Sequence, residues 1–197
     1  MLLTEYPVDE TRFYSTGHSA GSMVSQRFSI AFPRYFAAVA ATSAGIAPNA
    51  NGTVPIEGVT YPAANEVIPH YFVYGQGDLP NIAGTLWDGL ENTLDQMVRY
   101  HLANSGLTVD DVEANPGVRH GFMDRYETWE WRQPETGVTI YKLTLNHVRS
   151  HNTIPEETPS LWDYAQHFSR EISATGDVSR YYSPSGFRIP GDRIQIA

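Results

Sequence analysis

The sequence predicts an α/β fold in which a mostly parallel sheet is flanked by helices on both faces. Two observations lead to this prediction. Short apolar segments of strand length alternate along the chain with segments whose apolar residues recur at helical spacing. The residues from Gly17 to Gly21 also lie between one such strand and one such helix, where small residues permit a sharp turn. The chain of 197 residues is long enough for one core and too short for two domains of usual size.

The first three predicted elements surround that turn. Aromatic and hydroxyl residues mix over residues 11–16, which is typical of a buried strand. A helix over residues 20–31 follows, and Pro33 ends it. Its residues at helical spacing are Met23, Val24, Arg27, Phe28 and Ala31. Residues 36–41 form a second apolar run, small enough to be buried on both faces of a sheet.

The middle of the chain continues the alternation. Residues 45–68 are rich in Gly, Pro, Asn and Ala and predict a loop or a short cap. A third strand is expected over residues 69–74, just before Asp78. A long helix over about residues 85–104 follows, and Gly106 closes it. Its apolar stripe consists of Leu86, Leu90, Leu94, Met97 and His101.

The sequence of the last third of the domain predicts a hairpin followed by a helix. Residues 126–131 and 138–143 are expected to pair through a turn that contains Pro and Gly. A final helix is expected over residues 158–170, with Thr158 as its N-cap.

These elements define one domain over residues 1–176. The remaining residues, 177–197, are polar and contain Pro and Gly, so they predict an irregular C-terminal tail. No internal repeat suggests another organisation.

Composition and charge exclude several function classes. The formal net charge of -9 and the lack of a basic stripe argue against a nucleic-acid partner. Without cysteine, the chain has no disulfide, no thiolate metal site and no cysteine nucleophile. No apolar run reaches the length of a membrane span, and the first residues lack the basic start and apolar stretch of a signal peptide. We therefore expect a soluble enzyme, with neither membrane nor nucleic acid as a partner.

Residues Gly17-His18-Ser19-Ala20-Gly21 spell G-x-S-x-G, a motif that holds a nucleophilic serine on a strained strand-to-helix turn. Glycines two residues before and after Ser19 keep the strand and the helix from colliding. The helix points its positive end at the site, and the N–H of Ala20 is the donor expected to bind an oxyanion. The alternative is a Gly/Ser-rich turn without chemistry.

An acidic partner is expected after a later strand, in the order Ser, Asp, His. Asp78 follows an apolar strand, at the edge where open α/β sheets place functional groups. The alternative is a turn aspartate that makes a local backbone hydrogen bond. The weaker rivals are Asp88 and Asp95 on the long helix and Asp110 and Asp111 beyond it.

Two histidines, His147 and His151, follow the hairpin. His151 is the preferred base because it lies on a loop, where Nε2 can reach Ser19 Oγ and Nδ1 can face Asp78. His147 is the second choice, and an ordinary surface histidine is the alternative for either. Their i, i+4 spacing also resembles a zinc motif, but no H-E-x-x-H pattern accompanies it. We expect neither a metal nor a cofactor.

Six segments carry a family resemblance: residues 7–23, 32–40, 75–78, 151–156, 162–163 and 168–170. They resemble esterases similar to polyhydroxybutyrate depolymerase, a group that includes feruloyl and acetyl-xylan esterases. The resemblance favours His151 over His147. It implies an α/β-hydrolase fold and a serine carboxylesterase that acts on short acyl or hydroxyacyl esters, small or polymeric, without a cofactor. Members of the group are often secreted.

The N-terminus departs from that family. Only 18 residues precede Ser19, whereas an α/β-hydrolase has several strands and helices before its elbow. We therefore expect the C-terminal portion of the fold, which either lacks an N-terminal segment or needs a partner chain. The strand over residues 11–16 is then an exposed edge, and a second oxyanion N–H is absent. The alternative function is an inactive fragment or a non-catalytic protein that retains the elbow.

Aromatic residues near these elements have two interpretations. Trp87, Trp129 and Trp131 are expected either to line an acyl or aromatic pocket or to pack in the core. His18 lies beside the nucleophile and is assigned no role.

Overall fold

The computed structural model of the chain describes residues 5–64, 66–78, 93–186 and 192–197. The elements in chain order are β1 (Tyr14–Ser15), α1 (Ala20–Ala31), β2 (Ala38–Thr42), β3 (Thr53–Ile56), β4 (Val59–Pro62), β5 (His70–Gly75), α2 (Thr93–Ala103), β6 (Val118–His120), β7 (Tyr126–Arg132), β8 (Thr139–Asn146), α3 (Glu157–Ala165), β9 (Phe168–Ile172), β10 (Val178–Tyr182) and β11 (Ile194–Gln195).

The central sheet has six strands in the order β1-β2-β5-β8-β7-β6. β1, β2, β5 and β8 run parallel, whereas β7 is antiparallel to both of its neighbours. The sheet is therefore mostly parallel, as the sequence predicts, and the predicted hairpin is β7 with β8. The carboxyl ends of the four parallel strands meet at one edge of the sheet, which is where such sheets place functional groups.

Helices cover both faces of this sheet. His70 and Tyr71 are neighbours on β5 and so point to opposite faces. The ring of His70 lies 4.2 Å from that of His101 on α2, and its Nε2 lies 3.4 Å from Ser29 Oγ on α1. The ring of Tyr71 lies 5.4 Å from that of Tyr164 on α3. Thus α1 and α2 cover one face and α3 the other, which confirms the predicted α/β architecture.

The core lies at the centre of the sheet, where β2 and β5 are buried along their whole length. Trp129 and Trp131 are buried in this core, which favours core packing over a pocket lining for both. Trp87 lies outside the described residues. None of the helices within the described ranges is long and apolar enough to cross a membrane.

The long helix predicted over residues 85–104 is described only from Thr93 onward, as α2. Its stripe residues Leu94, Met97 and His101 are buried, as the spacing predicts. The first part of that prediction, with Leu86 and Leu90, lies outside the described residues.

Helix α1 has the predicted bounds, but it buries a polar face. Its buried residues are Ser22, Ser25, Gln26 and Ser29. By contrast, Val24 and Phe28 are 45% and 49% exposed. Gln26 offsets the cost of this burial, because Nε2 donates to the carbonyl of Ala44 at 3.0 Å and Oε1 accepts from the N–H of Ile46 at 3.3 Å.

The segment predicted as a loop over residues 45–68 contains a hairpin of β3 and β4. Glu57 and Gly58 form its two-residue turn with φ of 46° and 80°. Positive φ at both positions is the geometry that matches the twist of paired strands.

The structure also corrects the C-terminal region. The helix predicted over residues 158–170 spans Glu157–Ala165 instead, so Thr158 lies inside it rather than at its N-cap. The tail predicted as irregular contributes β10 and β11, which join β9 in a three-stranded antiparallel sheet. Arg180 on β10 fixes this sheet to the domain, since its buried guanidinium donates to the carbonyls of Phe36 and Pro33 at 3.2 and 2.6 Å.

Candidate active site

The turn between β1 and α1 holds Ser19 in a strained conformation. Ser19 is the N-cap of α1, with φ 55° and ψ -118°, and its side chain makes no capping hydrogen bond. A non-glycine residue in such a sparsely populated region costs about 1–3 kcal/mol, which neighbouring structure must offset. The end of β2 provides that support: Ser19 N–H donates to Thr42 O at 3.0 Å, and Thr42 N–H donates to Gly17 O at 2.9 Å. The strained turn predicted from the motif is therefore present, with the Ser19 hydroxyl left for another partner.

The two glycines of the motif have different surroundings. A Cβ at Gly17 would lie 2.4 Å from the carbonyl carbon of Gly21, so any side chain there collides with the start of α1. A Cβ at Gly21 would meet nothing within 4 Å. The expected need for small residues is thus confirmed at Gly17 and wrong at Gly21.

Ser19, His151 and Asp78 form one continuous hydrogen-bonded chain. Ser19 Oγ lies 2.9 Å from His151 Nε2, and His151 Nδ1 lies 2.6 Å from Asp78 Oδ1. The order of contacts assigns the Nδ1–H tautomer, in which Nδ1 donates to the carboxylate and Nε2 accepts from the serine hydroxyl. Asp78 is fully buried, whereas the His151 side chain is 40% exposed. The structure therefore brings the three predicted residues together, with the serine and histidine accessible from solvent.

The backbone around Asp78 explains why two glycines precede it. Asp78 ends a 3₁₀ turn directly after β5, and its Oδ2 accepts the N–H of Gly75 at 2.6 Å. A Cβ at Gly75 would lie 2.6 Å from the carbonyl oxygen of Arg149, and a Cβ at Gly77 would lie 2.7 Å from Ser150 Cα. The absence of side chains at these positions lets the loop that carries His151 pack directly on the aspartate turn.

His147, the second choice for the base, has a different partner. Its Nε2 lies 2.9 Å from Glu127 Oε2 on β7, so it contacts a carboxylate away from Ser19. His147 and His151 thus contact different carboxylates and do not converge on one point, as a zinc pair would. Within the described ranges, no group of three or more His, Asp or Glu side chains is arranged to hold a metal ion.

The three rival acids within the described residues lie elsewhere. Asp95 pairs with Arg99 at 2.8 Å on α2. Asp111 caps a 3₁₀ turn by accepting from the N–H and hydroxyl of Thr108, and Asp110 lies in the same turn. Asp88 lies outside the described residues.

His18 packs beside His151. Its ring centroid lies 5.1 Å from that of His151, and its Nδ1 lies 3.0 Å from Thr42 Oγ1. Burial lowers the pKa of His18, and the nearby His151 and Arg149 lower it further. His18 is therefore a neighbour of His151 that is attached to the same strand end that supports the Ser19 turn.

Ala20 is the first residue of α1 and is exposed. The first N–H groups of a helix have no intrahelical acceptor, so the Ala20 N–H remains available next to Ser19. This is the donor that the motif predicts for an oxyanion.

Arg149 also belongs to this site, although it lies outside the sequence motifs. Its guanidinium lies 3.4 Å from Asp78 Oδ2 and donates to Ser43 Oγ at 2.6 Å. No local sequence pattern predicts these contacts, because the partners of Arg149 lie 71 and 106 residues away in the chain. The one available signal is a cationic residue two positions before the candidate base.

No protein-family model matches the chain, and no curated protein is significantly similar to it. The site geometry and the resemblance of the motifs therefore carry the functional argument.

Proposed function

We propose that the protein is a serine carboxylesterase with an α/β-hydrolase type of fold, acting on short acyl or hydroxyacyl esters. The observation that carries the proposal is the hydrogen-bonded chain from Ser19 through His151 to Asp78. These residues are far apart in sequence, at separations of 132 and 73, yet each lies within hydrogen-bond distance of the next. A nucleophile, a base and a group that orients the base are the parts that acyl transfer requires.

In the first half-reaction, Ser19 Oγ attacks the ester carbonyl carbon while His151 Nε2 accepts the hydroxyl proton. The negative charge on the tetrahedral oxygen faces the Ala20 N–H and the positive end of α1. Asp78 stabilises the imidazolium through Nδ1–H. His151 then donates its proton to the leaving alcohol, and Ser19 keeps the acyl group.

In the second half-reaction, water replaces the alcohol. His151 Nε2 accepts a proton from this water as its oxygen attacks the acyl carbon. The tetrahedral intermediate collapses when His151 returns the proton to Ser19 Oγ. The acid is released and the starting state is restored, with one water consumed for each ester cleaved.

The substrate class rests on the resemblance to esterases similar to polyhydroxybutyrate depolymerase. The exposure of His151 suits an ester that approaches from open solvent, either a small molecule or the end or surface of a polymer.

Ester hydrolysis by the purified chain tests the proposal. We expect turnover of p-nitrophenyl acetate and butyrate that Ser19→Ala abolishes, and stoichiometric labelling of Ser19 by a fluorophosphonate. Ser160→Ala is the matched control, because Ser160 is an exposed serine on α3 and its loss removes a hydroxyl away from the triad. A folded chain that neither turns over ester nor reacts at Ser19 would contradict the proposal and support the non-catalytic alternative.

A further inference from the structure

The side chain of Arg149 is buried between two carboxylates. Only 1% of it is exposed, and its guanidinium lies 3.4 Å from Asp78 Oδ2 and 3.1 Å from Glu157 Oε1. A cation removed from water is tolerated only when it is paired and hydrogen-bonded, so this placement needs a dense set of acceptors. The chain provides that set around the triad aspartate.

Three further acceptors contact the guanidinium of Arg149, whereas its Nε lies near Glu157 Oε1 without forming a hydrogen bond. Nη1 donates to Ser43 Oγ and to the carbonyl of Asn152, and Nη2 donates to the carbonyl of Val73 at 3.2 Å. Ser43 directly follows β2, Val73 belongs to β5, and Asn152 is the residue after His151. One side chain thus joins the strand end that supports the elbow, the strand that leads to the acid, and the loop that carries the base.

The contact with Asp78 also fixes which carboxylate oxygen faces the histidine. Oδ2 accepts from the N–H of Gly75 at 2.6 Å and lies against Arg149. Oδ1 is then directed at His151 Nδ1, 2.6 Å away. Rotation of the carboxylate would break the contacts of Oδ2, so the orientation of Asp78 depends on both of its neighbours.

We propose that Arg149 is a positioning residue of the active site, which holds Asp78 and the loop of His151 in register with Ser19. It acts through these residues and does not touch the substrate. The inference rests on the proposed function for its kinetic consequences, whereas its geometric content stands on the contacts of Asp78 and His151 alone. A planar guanidinium contacts several acceptors at fixed angles, which the single ammonium of lysine does not reproduce.

The kinetic test compares Arg149→Met and Arg149→Lys with Arg180→Met. Arg180 is the matched control, since it is equally buried and donates to backbone carbonyls, but those carbonyls belong to Phe36 and Pro33. We expect Arg149→Met to lower kcat about a hundred-fold at unchanged KM, because small displacements of catalytic groups have effects of that order. Arg149→Lys should recover part of the loss. Arg180→Met should lose stability and keep its kcat per folded molecule.

A second measurement is independent of turnover. The proton of the short His151–Asp78 hydrogen bond is expected far downfield in the proton NMR spectrum, and Asp78→Asn, which removes it, assigns the signal. We expect this signal to shift or broaden beyond detection in Arg149→Met and to persist in Arg180→Met. If Arg149→Met does not fold, Arg149→Lys provides both readouts.

The outcomes separate the two proposals. Ester turnover with wild-type kcat and an unchanged downfield signal in folded Arg149→Met or Arg149→Lys would overturn the role of Arg149. An equal loss of kcat in Arg180→Met would also overturn it, because the effect would then be general destabilisation. A wild-type chain that lacks turnover and Ser19 labelling would contradict the esterase, and the NMR signal of the variants would still decide whether Arg149 positions Asp78.

Discussion

Gly17 and Gly21 occupy equivalent places in the motif around Ser19, but only one of them is sterically required. The space that a Gly17 side chain would need is filled by the backbone of Gly21, which cannot move without shifting the start of α1. The space beside Gly21 is open. The two glycines look equivalent in the sequence motif, but they are under different steric constraints in the fold.

Gly17→Ala and Gly21→Ala should consequently have opposite effects on stability. We expect Gly17→Ala to lower the free energy of unfolding by about 1–3 kcal/mol, as overpacking against backbone does, and to slow fluorophosphonate labelling of Ser19. Gly21→Ala places alanine inside a helix and should raise the free energy of unfolding by about 0.5–1 kcal/mol. Urea unfolding of both variants measures this difference. Equal destabilisation by the two would show that the motif needs both glycines.

At the residue scale, the cluster of Ser19, Asp78 and His151 could be predicted because each member has a local signal. Ser19 lies in a motif, Asp78 follows an apolar strand, and His151 lies on a loop before a helix. Arg149 could not be predicted, because its role depends on contacts with residues that only the folded chain brings near. Its burial is a property of the assembled site rather than of its sequence neighbours.

At the scale of the element, α1 shows how a buried helix face can be polar. Gln26 is fully buried and is bonded on both sides of its amide: Nε2 to Ala44 O, and Oε1 to the N–H of Ile46 and to His101 Nε2, both at 3.3 Å. The helix that follows Ser19 is thereby joined to the segment after β2 and to α2. At this position, the hydrogen-bonded amide of Gln26 occupies the buried site where an apolar side chain is more usual.

Gln26→Leu should therefore destabilise the fold although it adds an apolar side chain to the interior. The substitution leaves the N–H of Ile46 and His101 Nε2 without this partner, whereas the carbonyl of Ala44 still accepts from Ser22 Oγ at 2.6 Å. Each buried unsatisfied group costs about 1–3 kcal/mol. Arg27→Gln is the control on the exposed side of the same helix and should change stability by less than about 0.5 kcal/mol. Urea denaturation gives both values, and a stabilised Gln26→Leu would show that burial of apolar surface outweighs these bonds.

The prediction of secondary structure was wrong where the local composition of a segment does not indicate the strand pairing that the segment adopts in the fold. The high content of Gly, Pro, Asn and Ala over residues 45–68 predicted a loop where the hairpin of β3 and β4 lies. Its Glu57-Gly58 turn is not one of the Asn-Gly or Asp-Gly pairs that usually indicate a hairpin. The predicted last helix ran on because residues 166–170 contain no breaker. The chain leaves the helix there to pair with β10, a strand that is about ten residues further on and has no strong apolar pattern of its own.

On the scale of the whole molecule, the alternation of strands and helices was sufficient to predict the layered architecture. The alternation was not sufficient to predict the C-terminal sheet, because β10 and β11 are positioned by tertiary contacts. Arg180 is bound by carbonyls near β2, and the N–H of Ile196 donates to Arg180 O at 2.9 Å. A polar segment thus becomes a strand through partners that lie more than a hundred residues earlier.

Two histidines buried between the sheet and its helices should make global stability depend on pH. Burial lowers the pKa of His70 from 6.5 to about 4, although the carbonyl of Ile68 opposes the shift. Burial and the neighbouring His70 lower the pKa of His101 well below 6.5. Both rings are therefore neutral in the native state at a pH where the unfolded chain binds a proton at each.

The sign of the pH effect follows from these shifts. Stability is fully present above about pH 6.5 and is lost as the pH falls toward about 4, because only the unfolded state takes up protons in that window. Each histidine contributes a slope of about 1.4 kcal/mol per pH unit within it. We expect His101→Gln to be less stable at neutral pH and to show a slope smaller by one histidine's contribution, and His70→Gln to behave similarly. Urea unfolding between about pH 7.5 and about pH 4.5 measures the slopes. Slopes that equal the wild-type value in both variants would assign the acid sensitivity of the fold to other groups.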